Sequence, residues 1–118
     1  MDWEAIGREA VHLLSEYIKV ETINPPGNEH RATAFISRIL DKEEIPYKIF
    51  ESDPGRSSLY TCLKGDGSRR PVILLSHSDV VPVDREFWSV DPFGGVIKDG
   101  YIWGRGALDM KNLGIAEL

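Results

Sequence analysis

Apolar residues recur every three or four positions at the start of the chain. Trp3, Ile6, Ala10, Leu13, Leu14, Tyr17 and Ile18 keep that spacing, with Glu4, Arg8, Glu9, Glu16 and Lys19 on the other face. The pattern predicts an amphipathic helix over residues 3–20, with Asp2 placed to cap it. Pro25-Pro26-Gly27 stops helical structure and makes a loop. Asn28 is then expected to cap a second helix, about 29–43, that turns Ala32, Phe35, Ile36, Ile39 and Leu40 toward a core.

The period then changes. Tyr47 to Glu51 and Ser58 to Lys64 read as two short strands, and Val72 to Leu75 as a third. This third run is continuously apolar, the pattern of a strand covered on both faces. Gly65-Asp66-Gly67-Ser68 predicts a hairpin turn between the second and third strands. Lys98-Asp99-Gly100 predicts another, between Gly94–Ile97 and Tyr101–Gly104. Met110 to Leu118 has helical spacing but no stop signal before the chain ends. A doubly covered strand also needs layers on both sides, more than two helices and part of a third supply. The expectation is therefore an α/β fold that is incomplete as it stands.

Composition narrows the partners. The chain has 118 residues, room for one small domain, and a formal net charge of -5. It has no basic footprint for nucleic acid, and no apolar run near the roughly 20 residues that span a bilayer. Its acidic start lacks the order of a secretion signal, and a lone cysteine, Cys62, closes no internal disulfide. The expected location is the cytoplasm, with small molecules or peptides as partners and no expectation about oligomeric state.

Two segments can carry chemistry. His77-Ser78-Asp79 stands where the apolar strand runs out, and ligands gather beyond the carboxyl ends of strands in α/β sheets. A neutral imidazole is a good zinc ligand, and its second ring nitrogen needs an acceptor. In extended backbone, positions i and i+2 point the same way, so Asp79 is suited to hold that ring. Gly104-Arg105-Gly106-Ala107-Leu108-Asp109-Met110-Lys111 puts Asp109 at a helix start after a flexible turn. Taken singly, each has an ordinary reading, a strand-end histidine with a loop-capping aspartate in one case and a plain N-cap in the other.

Together the segments say more. His77-Ser78-Asp79-Val80-Val81-Pro82 followed by Gly104–Lys111 resembles the paired signatures of the M20 metallopeptidases. Trp88–Gly95, Asp99–Gly104 and Ile23-Asn24-Pro25-Pro26-Gly27-Asn28-Glu29 are also similar to that family. The family includes aminoacylases, acetylornithine and succinyl-diaminopimelate deacylases, carboxypeptidases and dipeptidases. The resemblance implies the N-terminal part of a zinc-exopeptidase-like three-layer α/β/α catalytic domain with a mixed sheet, without the lid or dimerisation domain. It implies that His77 and Asp109 bind metal, Asp109 bridging two ions, and that Asp79 serves catalysis by orienting the His77 ring. The metals implied are two zinc ions, with cobalt or manganese able to substitute, which activate a water and polarise a carbonyl. A cis peptide is implied at Asp109-Met110. The family's Glu-Glu pair, which holds the general base, and its remaining ligands match nothing in residues 1–118, and Glu117 does not replace them.

The activity implied is hydrolysis of amide bonds in N-acyl amino acids or small peptides by a longer parent, with these residues alone inactive. Two other readings stay open: a non-catalytic module that binds a partner through an open sheet edge, and a metal-binding protein without turnover. His12 and His30 fall outside ligand spacing, Cys62 is read as a small buried hydrophobe, and Trp88 and Trp103 as packing anchors. Arg105 is read either as reaching a substrate carboxylate or as stabilising its loop.

Overall fold

A computed structural model describes residues 1–118. Helix α1 spans Trp3–Ile18, with the Asp2 side chain accepting from the Ala5 amide at its start. Helix α2 spans His30–Lys42. Strands β1 (Tyr47–Asp53) and β2 (Arg56–Thr61) pair antiparallel, with Tyr47 opposite Thr61 and Ile49 opposite Leu59. A short 3₁₀ turn, Arg85–Phe87, precedes the small hairpin of β3 (Val96–Lys98) and β4 (Tyr101–Trp103), and helix α3 is Lys111–Glu117. The class is α/β and the domain is incomplete, with two separate two-stranded antiparallel sheets and one parallel bridge, Ile23 to Val80.

Three expectations from the sequence give way to tertiary context. Asn28 does not cap α2 through its side chain. It takes a left-handed conformation (φ 61°), and its carbonyl accepts from Arg31 while His30 N–H donates to Gly55. The hairpin joins β1 to β2 through Asp53-Pro54-Gly55-Arg56, not the second strand to Val72–Leu75. Gly65–Ser68 still turns, with Asp66 accepting from both the amide and the hydroxyl of Ser68. Val72–Leu75 forms no ladder, because neither hairpin lies beside it to take its backbone hydrogen bonds. Its side chains stand in solvent, Ile73 at 85% exposure. The Asp99-Gly100 turn forms as its residues dictate, with φ of 54° and 79°.

The core lies where the three helices meet. Tyr17, Ala32, Phe35 and Ile115 are buried together, flanked by Leu13, Leu14, Ile36 and Ile39. The Tyr17 and Phe35 rings stack with centroids 5.0 Å apart and planes 4° from parallel. The first turns of α1 project beyond this core, leaving Trp3 exposed. On the other face of Tyr17 sits Lys111, fully buried, with its ammonium 4.6 Å from the ring centroid. It donates to the carbonyls of Tyr17 at 3.0 Å and Val20 at 2.6 Å. A cation thus meets the carbonyls where α1 ends, the place that favours positive charge. The β3–β4 hairpin is held against α1 by Ser15, whose hydroxyl donates to the Gly95 carbonyl at 2.6 Å. A Cβ on Gly95 would stand 2.1 Å from the Ser15 carbonyl oxygen, at a φ of 58°.

Two outcomes follow for stability. Gly95→Ala is expected to destabilise the fold by at least about 2 kcal/mol, read from the urea midpoint, since clash and left-handed strain add. Burial lowers the Lys111 ammonium to about 8, against the opposing pull of Glu21. Burial raises the Tyr17 phenol to about 12, against a contact with Ser78. Between pH 8 and 10 the unfolded chain holds more protons on Lys111, so stability should rise. Above pH 10 the unfolded tyrosine ionises first and stability should fall. Urea melts across pH 7–11 test this, and Lys111→Met should remove the rise between 8 and 10.

Candidate metal centre

The site is assembled by a backbone clamp. Residues 22–24 run beside residues 78–80: the Val80 amide donates to the Thr22 carbonyl at 3.0 Å and the Asn24 amide to the Val80 carbonyl at 2.8 Å. The buried Thr22 hydroxyl donates to the Ser78 carbonyl at 2.6 Å. His77 and Asp79 flank Ser78, so both are held by this bridge. The Asp79 carboxylate divides its two oxygens, Oδ1 lying 3.1 Å from His77 Nδ1 and Oδ2 accepting from Asn24 Nδ2 at 2.8 Å. The Asp79 carbonyl is a second acceptor 3.1 Å from the same ring nitrogen.

Asp109 arrives from the other direction. Gly106 (φ 86°) passes so close to Val80 that a Cβ there would lie 2.8 Å from its Cγ1. This close approach lays the Gly104–Met110 turn against the bridge that carries Asp79. The Lys111 amide then donates to the Gly106 carbonyl at 2.9 Å, while its side chain is anchored under Tyr17. The Asp109-Met110 peptide is cis, as the resemblance implies. Asp109 Oδ1 ends 3.0 Å from His77 Nε2, across 32 positions of sequence.

His77 therefore has a carboxylate at each ring nitrogen. Burial pulls its pKa down, but the hydrogen bond to Asp109 and the carbonyl and charge of Asp79 outweigh it, and the net shift is upward. Asp79 is held below the usual carboxylate range, first by the Asn24 amide, against burial and with help from the His77 charge. The ring is half-exposed and the Asp109 side chain is 88% exposed, so the pair opens to solvent on the Asp109 side.

The donor chemistry fits a divalent cation. One imidazole nitrogen and one carboxylate oxygen stand 3.0 Å apart, close to the roughly 3.3 Å edge of a tetrahedron with bonds of about 2.0–2.1 Å. The far ring nitrogen is backed by a carboxylate, the arrangement that orients a ligating histidine. No group of three or more His, Cys, Asp or Glu gathers for a cation, so this chain offers a partial donor set.

The structure brings Asp79 and Asp109 each within hydrogen-bonding distance of His77, one at either ring nitrogen. His30 stands apart, its Nδ1 3.2 Å from the Gly55 carbonyl. Cys62 is exposed just past the end of β2, correcting its reading as a buried hydrophobe, because the hairpin leaves that edge uncovered. Arg105 lies over the Trp88 ring at 5.5 Å with its Nε buried and without a hydrogen-bond partner. Trp103 donates to the Lys98 carbonyl and closes its own hairpin. Sequence reasoning passed over Asn24, Thr22 and Lys111. Asn24 and Lys111 lie in segments singled out for their resemblance but were given no role there, and Thr22 carries no pattern signal.

The chain is similar to known proteins over most of its length. Residues 73–118 match the model of peptidase family M20/M25/M40. Pig (Sus scrofa) aminoacylase-1 is 38% identical over 120 aligned residues, covering 95% of this chain and 29% of the relative. A succinyl-diaminopimelate desuccinylase from Cereibacter sphaeroides is 35% identical over 105, covering 88% of the chain and 27% of the relative. An N-fatty-acyl-amino acid synthase/hydrolase from Xenopus tropicalis is 34% identical over 118, covering 94% and 23%. The chain thus spans under a third of the length of each of these relatives. The stretch that matches the family model, residues 73–118, holds His77, Asp79 and Asp109, and over that stretch the chain is similar to peptidase family M20/M25/M40.

Proposed function

We propose that this chain is the N-terminal part of the catalytic domain of a metal-dependent hydrolase of amide bonds in N-acyl amino acids or small peptides. His77 and Asp109 are its metal ligands in this reading, and Asp79 is the carboxylate that serves catalysis through the His77 ring. The observation that carries the reading is the 3.0 Å approach of His77 Nε2 to Asp109 Oδ1, with Asp79 behind Nδ1. The relatives add support, since one is an aminoacylase and another a desuccinylase. Zinc is the ion the nitrogen and oxygen donors suit, with cobalt or manganese as substitutes. A bound ion of this kind activates a water at neutral pH and polarises a carbonyl.

The chain's own residues do the positioning. Asp79 accepts a hydrogen bond from Nδ1–H and turns Nε2 toward Asp109, and the Gly106 turn brings the Asp109 carboxylate to the same point. The exposed side of Asp109 is where an acyl carbonyl would approach. No third ligand and no general base is offered by residues 1–118, so these residues alone are proposed to hydrolyse nothing. A cytoplasmic location belongs to the same proposal. No helix here is long and apolar enough to cross a membrane. The exposed Val72–Leu75 run favours a second reading, a protein-interaction module.

The test uses the full-length protein and N-acetylated amino acids with zinc supplied. His77→Ala and Asp109→Ala should each lower kcat/KM by at least about 100-fold, more than loss of a supporting contact costs. Undiminished turnover in either variant overturns the metallohydrolase reading. Because His77 is proton-bound above the usual histidine range, a cation must displace that proton. Zinc affinity should therefore fall roughly tenfold per unit as pH drops below the His77 pKa, and calorimetric titrations should lose that slope in His77→Ala.

A further inference from the structure

Asn24 has no part in the metal-site reading so far, yet its side chain makes the shortest hydrogen bond to the Asp79 carboxylate. Its Nδ2 donates to Asp79 Oδ2 at 2.8 Å, against 3.1 Å from Asp79 Oδ1 to the His77 ring. The placement is built into the backbone. The Asn24 amide is bonded to the Val80 carbonyl, Val80 bonds back to Thr22, and Ile23 bridges Val80 in parallel, so Asn24 stands alongside Asp79.

The chemistry of that contact has a direction. An amide NH₂ only donates, so the oxygen it meets must accept. With Oδ2 occupied by this donor, the carboxylate has one defined oxygen left for the ring, and only a protonated Nδ1 makes a hydrogen bond to it. Nε2 then gives up its own proton, which it donates to Asp109 in the metal-free ring, to leave the electron pair that a cation takes. We propose that Asn24 is a positioning residue that, through Asp79, locks His77 into the tautomer with its proton on Nδ1 and its Nε2 free to bind a metal ion. The proposal rests on the metal-site reading above, and it adds a residue from the Ile23–Glu29 loop to the machinery of that site.

Two variants remove the donor: Asn24→Asp keeps the shape, and Asn24→Leu keeps the side chain neutral. Thr22→Val is the comparison, loosening the same backbone clamp at Ser78 without touching the Asp79 carboxylate. The full-length protein is labelled with ¹⁵N-histidine, the His77 ring signals are assigned by their loss in His77→Ala, and zinc affinity is titrated in parallel. Zinc-loaded wild type is expected to show a protonated Nδ1. Both Asn24 variants should lose that signature or mix it with the other tautomer, and should bind zinc 10- to 100-fold more weakly, while Thr22→Val retains the ring signature. Retention of the Nδ1–H signature and of zinc affinity within twofold in either folded Asn24 variant overturns the proposal. So does an equal loss of the signature in Thr22→Val, which would make Asn24 a part of the clamp only. If His77→Ala binds zinc as wild type does, the metal-site reading fails instead, and the ring signals of the Asn24 variants still decide whether Asn24 sets the tautomer.

Discussion

Lys111 carries its ammonium into the middle of the protein, where the carbonyls of Tyr17 and Val20 and the face of the Tyr17 ring receive it. A buried charge without such partners would be costly, so its position is tightly defined. The same residue begins α3 and lies two positions after Asp109. The end of α1, the start of α3 and the turn that carries Asp109 are therefore fastened at one point. Tyr17 contributes from its other face by stacking on Phe35, which brings α2 into the same unit.

Around that anchor, the polar site is a line of alternating donors and acceptors: the Asn24 amide, the Asp79 carboxylate, the His77 ring and the Asp109 carboxylate. Two anions facing one imidazole explain why its pKa is raised although burial opposes it. The arrangement suits exchange of a proton for a cation, since both draw on the same nitrogen and the same carboxylate oxygen. Its open side and its partial donor set agree with a chain that spans less than a third of its relatives. The exposed Val72–Leu75 run is the apolar counterpart of that incompleteness, a segment with the composition of a covered strand and no neighbour among these residues.

Much of this was legible in the residues themselves. The helical spacing from Trp3 to Ile18 and from Ala32 to Leu40, the strands at 47 and 58, and the Asp99-Gly100 hairpin all depend on local periodicity and turn chemistry, which operate within a few residues. The strand-end histidine, the aspartate two positions on and the aspartate after the glycine turn stood out by their order along the chain. Pairing was less legible. The Asp53–Arg56 turn won over Gly65–Ser68 because β1 and β2 can pair in register and pack on α2, whereas Val72–Leu75 has no partner here.

By itself, then, the sequence determined where helices and turns arise, which side chains carry chemistry and which family they resemble. Tertiary structure alone decided that His77 meets Asp109 across 32 positions and that Asn24 reaches Asp79 across 55. It also decided that Lys111 turns inward to the end of α1. The physical reason is range: spacing and propensity act between neighbours on one element, whereas these contacts need a left-handed glycine turn, a parallel bridge and a buried cation to bring distant segments together.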